Sequence, residues 1–162
     1  ITDRITGTYK ERYPEATVIN KYDKDVLAEY LVNNSNTDSA IIFDDCFPSK
    51  CIYDETFTDL LLNNSEYKKL VIVTMQYPLF IKPELRSKYD YVFMLSEDFE
   101  INQRRLYMQY AGIFPSFNAF RNCFVNVSKY DYYNSLVIVS GRLSGQSTDL
   151  SDNAFTFKAI SD

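Results

Sequence analysis

Apolar runs of four or five residues alternate along this chain with amphipathic stretches of helical length. The runs fall at residues 16–19, 40–43, 70–73, 91–95 and 136–139, and their β-branched and aromatic content predicts strands. Those at 40–43, 70–73 and 91–95 have no polar interruption, the mark of strands covered on both faces in a parallel sheet. Residues 23–32 predict a helix capped by Asp23, with Val26, Leu27, Tyr30 and Leu31 on one side. Residues 54–62 predict another, carrying Phe57, Leu60 and Leu61, and Pro83 opens a short third. A polar helix over 102–110 is stopped by Gly112, and an aromatic-rich one follows over 114–124. Alternation of strand and helix predicts a three-layer α/β fold, with a mostly parallel sheet of about five strands and helices on both faces. An antiparallel edge strand fits the same pattern. One core over residues 1–140 is expected, followed by a flexible or loosely docked tail over 141–162 anchored by Phe155 and Phe157.

In open α/β sheets, ligands gather beyond the carboxyl ends of the strands. The strand at 40–43 runs directly into Asp44-Asp45-Cys46. Two adjacent carboxylates at that place match Walker B chemistry, in which one acid directs Mg²⁺ through its water shell and the next orients the attacking water. The same pattern also arises where a buried strand ends in two acids at a solvent-facing turn. Gln76 follows the strand at 70–73 and emerges on the same predicted edge. Its amide offers both a donor and an acceptor, which suits a sensor of the γ-phosphate and the lytic water. A simpler role for Gln76 is to close the turn before Pro78.

Composition narrows the function classes. Hydrophobic content of 46% and charged content of 24% are ordinary for a globular domain, and no apolar stretch approaches the ~20 residues of a membrane span. A net charge of −5 argues against a module that coats nucleic acid electrostatically, but not against a ring motor that touches DNA through a few loops. Lys68-Lys69, Lys82/Arg86/Lys88 and Arg104-Arg105 read as solvated helix ends. The chain has no His, which excludes a hydrolase built on a His base, and its three cysteines, Cys46, Cys51 and Cys123, fall short of a structural zinc site. Asn-x-Ser triplets at Asn33, Asn63 and Asn126 are expected by chance in an Asn-rich chain. Free thiols in a reducing compartment follow, rather than a secreted glycoprotein. Ile1-Thr2-Asp3-Arg4 opens without Met or a signal-like region, so the chain is expected to be a piece of a longer protein.

Six segments, taken in order, resemble one family. They are Ile41-Ile42-Phe43-Asp44-Asp45-Cys46, Val73-Thr74-Met75-Gln76-Tyr77-Pro78, Lys82-Pro83-Glu84-Leu85-Arg86, Asp90-Tyr91-Val92-Phe93, Tyr110-Ala111-Gly112-Ile113-Phe114-Pro115 and Tyr133-Asn134-Ser135-Leu136-Val137-Ile138. They are similar to successive motifs of the DNA-packaging ATPases of poxviruses and other large DNA viruses, in the FtsK–HerA branch of P-loop motors. The resemblance covers residues 16–139. It implies the Walker B and sensor half of a P-loop NTPase-like core that hydrolyses ATP with Mg²⁺ to drive genomic DNA into a capsid. It further implies a homo-oligomeric ring around double-stranded DNA, capsid components as partners, and an intracellular place in the viral factory or virion. Carried over, Asp44 is the magnesium-directing acid, Asp45 the catalytic acid, Gln76 the nucleotide sensor, and Arg86 an interface or phosphate contact. A surface ion pair is the alternative for Arg86.

Two departures stand out. No Gly-x-x-x-x-Gly-Lys-Ser/Thr occurs in the chain, so the amides and Lys that cradle phosphates are expected from preceding sequence or another chain. The family's Asn-Gly-Arg-His-Tyr is here Asn63-Asn64-Ser65-Glu66-Tyr67, which puts Ser65 where the superfamily carries a trans-acting Arg finger. Lys68 or Lys69 offers a partial substitute without the planar fork. Both departures also fit an inactive ATPase-fold paralogue that acts as a binding or scaffold subunit.

Overall fold

The computed structural model describes residues 6–46, 54–77, 81–128, 133–140, 143, 145 and 147–160; Cys51, Pro78 and the opening Ile1-Thr2-Asp3-Arg4 lie outside them. The chain divides into two units, Ile1–Leu85 and Arg86–Asp162.

In the first unit, α1 (Thr6–Arg12) and α2 (Lys24–Asn33) precede β1 (Ser39–Asp44), α3 (Glu55–Leu62) and β2 (Lys69–Thr74), with α4 (Pro83–Arg86) at the boundary. Both longer helices start on an aspartate. The Asp23 carboxylate accepts the Asp25 and Val26 amides at 2.9 and 3.3 Å, and Asp54 accepts those of Thr56 and Phe57 at the same distances. Each cap satisfies amides that the first helical turn leaves without partners. The strands β1 and β2 pair in parallel from Ser39↔Lys69 to Asp44↔Thr74. Phe43 is fully buried and meets Phe57 of α3 edge-on, with ring centroids 5.0 Å apart.

Lys69 opens β2 from a buried position. Its ammonium donates to three backbone carbonyls, those of Asn34 (2.8 Å), Thr37 (2.5 Å) and Tyr67 (2.8 Å). The side chain thereby ties the C-terminal end of α2 to the turn that precedes β2.

The second unit contains β3 (Tyr91–Met94), α5 (Glu100–Tyr110), α6 (Phe117–Ser128), β4 (Asn134–Val139), α7 (Leu150–Asn153) and β5 (Ala154–Lys158). Its core joins Met94, Leu136 and Ile138 from the sheet to Ala111, Phe114, Phe120 and Phe124. Phe120 and Phe124 are four residues apart on α6 and stack with ring centroids 5.4 Å apart. On the opposite sheet face Val137 is fully buried between its cross-strand neighbours Phe93 and Phe155.

Three expectations are corrected. Among the described residues, the strands do not form one mostly parallel sheet: β1 and β2 make a two-stranded parallel sheet, and β3, β4 and β5 an antiparallel one in the order β3-β4-β5. Strand direction depends on partners distant in sequence, which an apolar run does not specify. Residues 16–19 form no strand. The strand β1 is covered on one face only: Ile41 and Phe43 are buried, whereas Ala40 and Ile42 are exposed together with Leu70 and Ile72 of β2. Within residues 141–162, β5 pairs with β4 from Asn134↔Lys158 to Ile138↔Ala154. Among the described residues, no helix is long and apolar enough to cross a membrane.

Two tests follow from the caps and the buried lysine. Burial raises the Asp54 carboxyl, but the Tyr22 hydroxyl at 2.6 Å and the Phe57 and Thr56 amides outweigh it, so its pKa lies below the ordinary 3.8. A depressed folded-state value stabilises fully above the unfolded one, and the gain is lost as pH falls through the folded value. Asp54→Ala is expected to cost about 1 kcal/mol in urea unfolding at neutral pH, with the difference from wild type shrinking as pH drops below 3.8. Lys69→Met is expected to cost about 1–3 kcal/mol in the same assay, because it strips the donor from three carbonyls.

Candidate functional site

The parallel register places Asp44 beside Thr74, the last residue of each strand. The Thr74 hydroxyl donates to Asp44 Oδ1 at 2.6 Å. Both side chains leave the sheet on the open face of Ile42 and Ile72, as the two-residue alternation of strands requires. Asp45 then departs from the strand with a φ of 48°, in the left-handed region that Asp enters more readily than most residues. This turn sets the Asp45 amide against Thr74, 3.2 Å from its carbonyl oxygen and 3.0 Å from its hydroxyl oxygen. It also brings the Asp45 carboxylate to Gln76, whose Nε2 donates to Oδ2 at 2.8 Å.

Asp44, Asp45 and Gln76 therefore stand together on one rim, at the carboxyl ends of adjacent parallel strands. Adjacent residues of an extended strand face opposite sides. The reversal at Asp45 is what allows its carboxylate to reach Gln76 while Asp44 is held by Thr74. Backbone strain of this kind concentrates at functional sites.

Two members of the cluster escaped the sequence. Thr74 carries a legible signal, because aligning the two strands by their acidic and polar ends puts a hydroxyl opposite Asp44. Tyr9, on α1, carries none. Its hydroxyl donates to Asp44 Oδ2 at 2.6 Å across 35 residues of chain. That bond, then burial, then the charge of Asp44 raise the Tyr9 pKa, so the phenol remains a neutral donor.

Arg86 belongs to the second unit, where its guanidinium carbon lies 6.0 Å from the centre of the Tyr110 ring. Burial raises Tyr110 to about 12 and the Arg86 charge offsets part of that rise. Ser65 and Lys68 are exposed in the turn before β2, at the opposite edge of the parallel sheet from Asp44. Five strand steps put them roughly 16 Å from the acid rim. Lys69 is committed to three carbonyls, which removes it as a substitute finger.

The donors at the rim are carboxylate and hydroxyl oxygens, the hard ligands Mg²⁺ takes. Among the described residues, no group of three or more His, Cys, Asp or Glu side chains could hold a metal ion. A cluster with two carboxylates fits an ion that keeps several waters and is held jointly by substrate phosphates.

No protein-family model matches the chain. An uncharacterised protein of Acanthamoeba polyphaga mimivirus is 27% identical over 98% of the chain and 60% of its own length. The uncharacterised protein 088R of Invertebrate iridescent virus 3 is 31% identical over 98% of the chain and 62% of its own length. The chain thus spans about three-fifths of these relatives. Among solved structures, the genome packaging NTPase B204 from Sulfolobus turreted icosahedral virus 2 in complex with AMPPCP superposes with a TM-score of 0.58 at 13% identity. That match covers 86% of this chain and 63% of B204. The complex of B204 with ATP-gammaS gives 0.56 at 15% identity, covering 86% of this chain and 65% of B204. The chain has relatives in large DNA viruses, and its fold is similar to that of B204.

Proposed function

We propose that this chain carries the Walker B and sensor half of an ATPase that packages viral DNA, in the FtsK–HerA branch of P-loop motors. The observation that carries this reading is the acid rim itself. Two carboxylates and an amide from adjacent parallel strands are held in one hydrogen-bonded cluster through Thr74. The likeness to B204, a packaging NTPase seen with nucleotide analogues, supports the same reading.

On this reading Asp44 directs Mg²⁺ through the ion's water shell, with Thr74 fixing the carboxylate. Magnesium held there would supply charge neutralisation for the phosphates in phosphoryl transfer. Asp45 accepts a proton from, or orients, the attacking water. Gln76 holds Asp45 with one N–H, and its remaining donor and its carbonyl oxygen are the groups that distinguish an occupied γ-phosphate site from an empty one. Arg86 acts at a subunit boundary or on phosphate. The motor works as a homo-oligomeric ring on double-stranded DNA, with capsid components as partners, in the viral factory or virion. The phosphate loop comes from sequence before this segment or from another chain.

A second reading, an ATPase-fold paralogue acting as a binding or scaffold subunit, is favoured by one observation. The Arg-finger position is Ser65, and the neighbouring Lys69 is consumed by backbone carbonyls. Coding sequence upstream separates the two, because an intact phosphate loop there supports the motor.

Asp45→Asn in the longest natural form is expected to lower ATP turnover about 10²–10⁴-fold. Equal rates in the two proteins would remove Asp45 from the chemistry. Isothermal titration of Mg·ATP into the 162-residue chain is expected to give binding weaker than micromolar, since its sequence contains no phosphate loop.

A further inference from the structure

The Asp44 carboxylate is gripped from two sides by hydroxyl donors on different elements. Thr74, on the neighbouring strand, donates to Oδ1 at 2.6 Å, and Tyr9, on α1, donates to Oδ2 at 2.6 Å. The first bond is built into the parallel ladder, because Thr74 is the register partner of Asp44. The second is not. It joins β1 to a seven-residue helix through one phenol, at a position exposed to solvent. A water on a metal ion would reach Asp44 as a donor too, and a carboxylate is acceptor-only when ionised. Each carboxylate oxygen carries two lone pairs, so a phenol and a metal-bound water compete where both approach the same lone pair of Oδ2.

We propose that Tyr9 is a positioning residue that latches the metal-side carboxylate: its hydroxyl occupies Oδ2 of Asp44 and must withdraw before a metal-bound water takes that place. The proposal rests on the reading of Asp44 as the metal-directing acid. The motion of α1 is then coupled to metal loading, since a helix carrying Tyr9 away from β1 opens the acid while Thr74 keeps it oriented. The latch differs from a general stabilising contact in one respect. Removing the hydroxyl improves metal binding instead of weakening it.

The test measures Mn²⁺ binding to the full chain by electron paramagnetic resonance of the free ion, in wild type, Tyr9→Phe, Asp44→Asn and the double variant. Tyr9→Phe keeps the ring, and circular dichroism checks that the fold is retained. Removing one competing hydrogen bond is expected to tighten Mn²⁺ binding about 3- to 10-fold, and Asp44→Asn is expected to abolish that gain. In wild type, the ring-carbon NMR resonance of Tyr9, identified by its loss in Tyr9→Phe, is expected to shift when Mg²⁺ is added and to stay fixed in Asp44→Asn. Unchanged or weaker Mn²⁺ binding in Tyr9→Phe, or a Tyr9 resonance indifferent to Mg²⁺, overturns the latch while Asp44-dependent binding keeps the metal-side reading intact. Equal binding with and without the Asp44 carboxylate overturns both.

Discussion

The arrangement at the acid rim depends on the register between β1 and β2. Their parallel ladder pairs Asp44 with Thr74, and the contacts of Thr74 with both acids follow from that pairing. A slip of one residue in either direction would set Asp44 against Val73 or Met75, neither of which donates a hydrogen bond from its side chain. It would also turn Ile41 and Phe43 out of the core, since strand faces alternate with period two. Burial of Phe43 against Phe57 and placement of the Asp44 carboxylate are thus one constraint. Phe43 anchors the strand one residue before the acid rim.

Lys69 reinforces the same register from the other end. A buried ammonium satisfied by three carbonyls pins the start of β2 to the end of α2. Burying a charge is costly unless its hydrogen bonds are made. The strand ladder is consequently fixed at its amino edge by a cation and closed at its carboxyl edge by the Thr74 and Gln76 bonds to the acids. The open face of the sheet, with Ile42, Leu70 and Ile72 exposed, is the one from which Asp44 and Thr74 also project. Helix α1 reaches that acid through Tyr9.

The second unit solves burial by other means. Its antiparallel sheet covers one face with the aromatic side chains of α6 and the segment before it, including the stacked pair Phe120 and Phe124. On the other face Phe93 and Phe157 meet edge-on at 5.5 Å, and Val137 and Ser135 are buried although the rings remain half exposed. Aromatic rings cover neighbouring strand positions at little conformational cost. Packing asks for apolar volume at given positions more than for particular residues.

Most local structure was legible in the residues. The caps Asp23 and Asp54, the apolar stripes of α2 and α3, Pro83 at the start of α4 and the strand segments ending at Asp44 and near Gln76 each follow from chemistry within a few residues. Position along the chain and the polar groups at element ends were thus readable from the residues, because capping, periodicity and side-chain size act locally. Long-range contacts set the rest: the strands split into a parallel pair and an antiparallel trio, β1 keeps one face open, and Tyr9 and Thr74 hold the two oxygens of Asp44. Those outcomes are set by which segments meet across long stretches of chain. An apolar run is equally ready to pair in either direction, and a tyrosine on a polar helix carries no mark of the carboxylate it will find.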